Sequence, residues 1–265
     1  MHMKPDFWLQ QTSEKPLFPD LIWNRPENRQ FAGKLLIVGG NLHGFTVPAT
    51  SYNEALRAGI GVARVILPDA LQKIVGKLVP EAEFTPSTPS GSFAREALGE
   101  LLPAAEWADG VLLAGDFGRN SETAVLLESF VEKYTGALTL TKDAVDYFAK
   151  SPQVLLNRPE TTLVISFAQL QQIATNSQFN QPIIYTMDML QLVDALHNFT
   201  NEFSTNIIVR HLDNIFVAVN GRVSTTKRTT QEKIWCTKTA THATTWWIQN
   251  LSKPFEAIST AVIID

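Results

Sequence analysis

A single cysteine, Cys236, in a chain of 265 residues excludes an internal disulfide and suits a reducing compartment. Histidine is scarce as well. His2, His43, His197, His211 and His242 show no metal-ligand spacing, and Cys236 has no second thiol nearby, so no metal site is expected. No apolar run is long enough to span a bilayer. The N-terminus has no apolar stretch ahead of a small-residue cleavage site, so no signal peptide is expected. Charge of one sign is missing too: 22 Lys and Arg stand against 26 Asp and Glu, for a net charge of −4. Such a mixed balance argues against a nucleic-acid groove. The expectation is a cytoplasmic protein with neither a membrane nor a nucleic acid as partner. Repeats and low-complexity segments are absent, and no glycine follows Gly221.

What is present is apolar mass, 45% of the residues, enough for a full core in one α/β domain. Residues 1–32 carry Phe7, Trp8, Phe18, Trp23 and several prolines. They read as an arm whose aromatics dock on a single domain over 33–265. The unbroken apolar run Leu35–Val38 reads as a strand buried on both faces. The turn Gly39-Gly40-Asn41 follows it, then a helix over Val47–Ala58 and a strand over Val62–Leu67. This is a βαβ unit, whose ligand crevice lies beyond the carboxyl end of its first strand.

Pro68 suits the first turn of a helix reaching Val79, and Thr85–Gly91 reads as a loop. Helices are expected over Phe93–Glu106, after a Ser121 cap, after the strand that ends at Thr141 and through Phe148, and over Phe167–Ala174 and Met187–Phe199. Strands are expected over Gly110–Ala114, Ala137–Thr141 and Thr162–Ile165, with a further one over Pro182–Tyr185. Asn206–Arg210 and Ile215–Val219 lie so close that they must pair antiparallel. Ser224–Lys233 is polar and basic. Trp235–Leu251 and Phe255–Ile264 are closing helices. The order predicts a three-layer α/β/α sandwich with a mostly parallel central sheet and a late antiparallel hairpin.

The order of motifs resembles the carbohydrate-kinase-like branch of the ribokinase-like superfamily, and within it the ADP- or ATP-dependent NAD(P)H-hydrate dehydratases. The residues that carry the resemblance are Gly33–Asn41, Ala55–Val62, Pro80-Glu81, Asp109–Asn120, Thr139–Val145 and the hairpin with Gly221. It covers roughly residues 26 to 265 and is specific through Leu67. It implies repair of hydrated nicotinamide dinucleotide: a nucleotide, ATP or ADP with Mg²⁺, phosphorylates the hydroxyl, and elimination follows. The substrate would sit over the glycine turn and the nucleotide near the hairpin. A Gly-x-Gly-Asp turn at the start of a late helix would hold the phosphoryl charge on its amides and supply a base. The resemblance also implies a homo-oligomer.

That last turn is missing. Its place reads Ile234-Trp235-Cys236-Thr237-Lys238, and the aspartate would fall near Thr237. Other motifs are eroded. A Gly-Pro-Gly-Leu-Gly stretch appears as Ala114–Gly118, an Asp-Ala-Asp-Ala-Leu as Thr141–Val145, and a lysine-glycine pair as Arg210-His211. The expectation is a divergent, catalytically impaired member, a pseudoenzyme that still binds a nucleotide or dinucleotide. The alternative is an active dehydratase with a substitute carboxylate. Candidate ligand-binding residues are Gly39, Gly40, Asn41, His43, Gly118 and Asp143, with Arg210, Lys227 and Arg228 for phosphate. Asp116 fits either a catalytic or binding carboxylate or the cap of a turn. Asp143 fits a helix cap as well as a ligand contact. The basic residues fit a solvated face as well as a phosphate site. Cys236 reads as a structural thiol.

Overall fold

The computed structural model describes residues 5–75, 79, 82–228 and 235–264. In chain order its elements are β1 (Trp8–Gln11), α1 (Pro19–Trp23), β2 (Lys34–Gly39), α2 (Thr46–Arg57), β3 (Val62–Pro68), α3 (Gln72–Val75) and β4 (Ala82–Thr85). Then come α4 (Leu98–Trp107), β5 (Gly110–Gly115), α5 (Ser121–Lys133), β6 (Ala137–Thr141), α6 (Asp143–Asp146), α7 (Gln153–Leu156), β7 (Thr161–Ile165) and α8 (Phe167–Asn176). The chain closes with α9 (Met189–Glu202), β8 (Asn206–His211), β9 (Asn214–Val219), β10 (Arg222–Lys227), α10 (Trp235–Ile248) and α11 (Pro254–Ile264).

Ten strands form one sheet in the order β1-β10-β9-β8-β7-β6-β5-β2-β3-β4. From β4 to β8 all pairs are parallel, and β9 runs antiparallel to both of its neighbours. The apolar runs in β2, β5 and β7 are buried on both faces because helices cover both. One core packs α4, α5, α8 and α9 on one face of the sheet. A second core packs α2, α10 and α11 on the other. This is the three-layer α/β/α sandwich with a late antiparallel hairpin.

Local expectations fail in instructive places. Pro68 ends β3 and caps a 3₁₀ turn, Asp69–Leu71, that runs into α3, so it stands just before the helical stretch and not in its first turn, and that stretch is described only to Val75. Residues 76–78 of the expected helix lie outside the described residues, as do Pro80 and Glu81. Ala82–Thr85 is an edge strand where the composition suggested only a loop from Thr85. Asn120, not Ser121, caps α5, its side chain accepting from the amides of Glu122 and Thr123. Pro182–Tyr185 is no strand, because the place beside β7 is taken by β8. The arm contributes β1, which pairs parallel with β10 along Trp8–Gln11. β10 itself lies in the stretch that reads as merely polar and basic.

Candidate functional site

The chain leaves β2 toward β3 and β4 on one side and returns through β5 toward β8 on the other. The reversal between β2 and β5 is the point where open α/β sheets bind ligands, beyond the carboxyl ends of the strands. Gly39, Gly40 and Asn41 end β2 there. A Cβ on Gly39 would lie 2.4 Å from the Gly115 carbonyl oxygen, so the β2 and β5 backbones meet at a distance that only glycine permits. The Gly40 amide donates to that same oxygen at 3.0 Å. Asn41 Nδ2 donates to the Asp116 carbonyl at 2.5 Å, and Asn41 Oδ1 accepts from the His43 amide at 2.7 Å. The His43 side chain itself is exposed.

Asp116 sits at φ +60°, in the left-handed region a non-glycine residue seldom occupies. Its Oδ2 accepts from the Val47 amide at 2.9 Å and so satisfies a free donor in the first turn of α2. Asp143 Oδ2 accepts from the Gly118 amide at 3.0 Å, which pins the β5 loop. Asp143 Oδ1 is buried and has no hydrogen-bond partner. Burial pushes the Asp143 carboxyl above its ordinary range, and the nearby Asp116 and Asp146 charges add to the rise, against the backbone amides of Gly118 and, more weakly, Asp116. Lys142, just before it, has φ +55° and ψ −135°. Tyr147, which sequence reasoning passed over, closes the loop. Its hydroxyl donates to the Gly118 carbonyl at 2.8 Å and accepts from the Asn120 amide at 3.3 Å. An isolated tyrosine gives no sequence signal for so distant a bond.

α10 starts beside the carboxyl end of β6. Its first turn bears Trp235, Cys236 and Thr237. Burial pushes the Cys236 thiol up to about 12, opposed by Lys142 and by a hydrogen bond with Thr141. A thiol so placed is neutral and not a nucleophile at ordinary pH. Lys233 and Ile234, ahead of this turn, lie outside the described residues.

A cleft of about 410 Å³ opens between α8, the β8–β9 turn and the start of α10. Ser166, Phe167, Tyr185, Arg210, His211, Leu212, Asp213 and Trp235 line it. Its volume falls in the usual range of small-molecule sites, and aromatic walls with a few polar groups are their usual chemistry. Of the three basic residues expected at a phosphate, only Arg210 is among these lining residues. Arg210 Nη2 donates to the Arg228 carbonyl at 3.3 Å, and Arg228 Nη2 donates to the Val262 carbonyl at 3.2 Å. Lys227 ends β10 exposed, opposite Asn214. Among the described residues no group of three or more His, Cys, Asp or Glu is arranged to hold a metal ion. No described helix is long and apolar enough to cross a membrane.

No family model matches the chain. A bifunctional NAD(P)H-hydrate repair enzyme of Methanothermobacter thermautotrophicus is 34% identical over 92 residues, covering 35% of this chain and 18% of that protein. Its counterpart in Dictyoglomus turgidum is 22% identical over 187 residues, covering 69% of this chain and 35% of that one. The chain thus spans only about a fifth to a third of these curated relatives. Among solved structures, a ribokinase-like superfamily protein from Enterococcus faecalis superimposes with a TM-score of 0.76 at 14% identity, over 99% of this chain and 87% of that one. The ADP/ATP-dependent NAD(P)H-hydrate dehydratase of Bacillus subtilis, co-crystallized with ATP/Mg²⁺, gives 0.59 at 12% identity, over 94% and 86%. The fold is ribokinase-like, and the sequence is related to the NAD(P)H-hydrate repair enzymes at a distance.

Proposed function

We propose that this divergent relative of the NAD(P)H-hydrate dehydratases binds a nucleotide at the hairpin cleft but has lost efficient phosphoryl transfer. One observation carries the reading: among the described residues, the first turn of α10 holds Trp235, Cys236 and Thr237 and no carboxylate. A phosphoryl site at a helix start needs close, bare amides and an acid to take the hydroxyl proton. Two acids of the crevice are held by backbone amides, Asp116 by Val47 and Asp143 by Gly118, and the carboxylate that lines the hairpin cleft with Trp235 is Asp213. Losing one such donor costs roughly 10²–10³ in rate, and losing the base adds to that.

The cleft has the size, the aromatic walls and the cation, Arg210, that a nucleotide requires. The described residues offer no carboxylate cage for Mg²⁺, so the ion would enter on the nucleotide's own phosphates. The second reading, an active dehydratase, has one observation in its favour. Asp116 keeps a strained backbone beside the crevice, and such strain gathers at working sites.

The test is hydrated NADH with ATP or ADP and Mg²⁺, followed by NADH absorbance, alongside a thermal shift with each nucleotide. The expected result is a raised melting temperature without turnover above background, since a ligand of the folded state must stabilise it. NADH formed at an enzyme-like rate, and lost in Asp116→Ala, overturns the impaired reading. No thermal shift with either nucleotide overturns the binding one.

A further inference from the structure

A second cleft, of about 440 Å³, lies at the opposite end of the sheet from the crevice. β9 runs antiparallel to β8, so its last residue, Val219, stands at the amino ends of the parallel strands. The cleft is lined there by Phe18 of the arm, by Val219, Asn220 and Arg222 around the β9–β10 turn, and by residues 252–256, which lead into α11. Phe18 meets the Phe255 ring edge-on, with 6.0 Å between centroids and 80° between planes. The Arg222 guanidinium lies over the Phe255 ring, 4.1 Å from its centroid, and its Nη1 donates to Glu256 Oε1 at 2.7 Å. Stacking and ion pair together orient a side chain that is still 44% exposed.

The charges of this cleft do not balance. Among the described residues that line it, Arg222 and Lys253 are cations and Glu256 is the one acid. That leaves an excess of positive charge on a chain whose net charge is −4. Glu256 engages one N–H of the guanidinium fork, which leaves the others for a further acceptor. A carboxylate matches the planar fork and, as a monoanion, cancels the excess. A phosphate dianion would overshoot it and be repelled by Glu256. Phe18, Pro254 and Phe255 offer apolar surface for the rest of a ligand, and the volume suits a small molecule. We propose that this cleft is a second ligand site, which takes a small monocarboxylate with its charged end on Arg222 and Lys253 and an apolar or aromatic body against Phe18 and Pro254. The site is independent of the nucleotide reading, since the hairpin cleft shares none of its residues.

The experiment is calorimetric titration of the full chain at low ionic strength, where surface charge is least screened. The probes are benzoate, its neutral counterpart benzyl alcohol, and phenyl phosphate. Benzoate should bind saturably, with a dissociation constant of about 1 mM or tighter, and more tightly than either of the others. Arg222→Gln and Lys253→Gln should each weaken it about three- to tenfold, the worth of a half-exposed charge contact. Glu256→Gln removes the competing acid and should tighten benzoate, a sign that a purely structural role for Glu256 would not give. Absence of saturable benzoate binding overturns the proposal. So does benzyl alcohol or phenyl phosphate binding as tightly as benzoate. An affinity untouched in both Arg222→Gln and Lys253→Gln places the ligand elsewhere and overturns it as well. Lys253 is exposed, so Lys253→Gln keeps the test decisive should Arg222→Gln fail to fold.

Discussion

Two parts of the same crevice are built on opposite terms. At the ends of β2 and β5 the backbones are so close that glycine is obligatory. At the start of α10 three bulky side chains stand where close amides would be needed for chemistry. The resemblance to the dehydratases is carried by residues of the first region and not by those of the second. The difference teaches that the Gly39–Gly40 turn has a sufficient reason in the fold itself. Its glycines fit a parallel sheet whose neighbouring strands touch at Gly115, whether or not a ligand lies above them. The start of α10 meets the rest of the fold through side chains, with Thr237 buried and Trp235 packed on the second core, so its place in the fold sets no requirement for glycine.

The sharpest way to break this comparison is Gly39→Ala. A methyl group 2.4 Å from the Gly115 oxygen meets only Gly115 backbone atoms, none of them the end of a flexible side chain that could yield. Overpacking usually costs about 1–3 kcal/mol, and with no flexible atom to yield the upper end applies. Urea denaturation should show a loss of about 3 kcal/mol or more. A loss below about 1 kcal/mol would mean that the close approach is not what fixes this residue, and that a ligand explanation is needed. Reactivity of Cys236 tests the other region. With its thiol pushed up to about 12, thiolate near pH 8.5 is roughly a thousandfold scarcer than for a free cysteine. Alkylation of the native protein should be slower by about that factor and recover on denaturation. Labelling at the rate of a model thiol would place an activated nucleophile at the helix start.

Asp116→Ala separates structure from catalysis. Its Oδ2 caps the Val47 amide from a residue 69 positions away, so the variant should lose about 1 kcal/mol, the usual value of a lost cap. Asp116→Asn, which keeps an acceptor and tolerates the left-handed backbone, should lose less. A variant with unchanged melting temperature would return Asp116 to the list of catalytic candidates.

How much was legible follows from where each residue finds its partners. β2 and β5 announce themselves because a strand buried on both faces needs an unbroken apolar run. The β8–β9 hairpin was readable from a gap too short for a crossover. β10 was not, because Ser224, Thr225 and Thr226 look like a loop until their partners are known. In the fold Trp8 Nε1 donates to Thr225 Oγ1 at 3.0 Å, Gln11 Nε2 donates to Thr226 Oγ1 at 2.9 Å, and the hydroxyls of Ser224 and Ser259 meet at 2.7 Å. A polar strand buried by contacts more than 200 residues apart in the first two cases has no local signature. The site divides in the same way. Asn41, Asp116, Gly118 and Asp143 do converge, but they spend their polar groups on one another and on Val47, which spacing alone did not reveal. His43 and Lys227 point to solvent, and His211 was hidden behind the basic pattern around it.

The smallest effect concerns Asp143, and its sign is specific. Burial raises the carboxyl's folded-state pKa above its unfolded value, the reverse of the usual salt-bridged aspartate. Between the two values the native protein holds more protons than the unfolded chain, so stability falls as pH rises through that window and is highest below it. Below the ordinary carboxylate range the term is fully favourable; above the folded value its loss is complete. Asp143→Asn keeps an acceptor for the Gly118 amide and removes the titration, so its stability should change less between pH 4 and 7 than that of the wild type, and it should match or exceed the wild type at pH 7. Urea midpoints across that range decide it. A wild-type protein that gains stability at this group as pH rises, judged by the difference from Asp143→Asn, would mean that an unseen cation or donor meets Oδ1, and the β5–β6 end of the crevice would then be a charged binding site and not a self-satisfied turn.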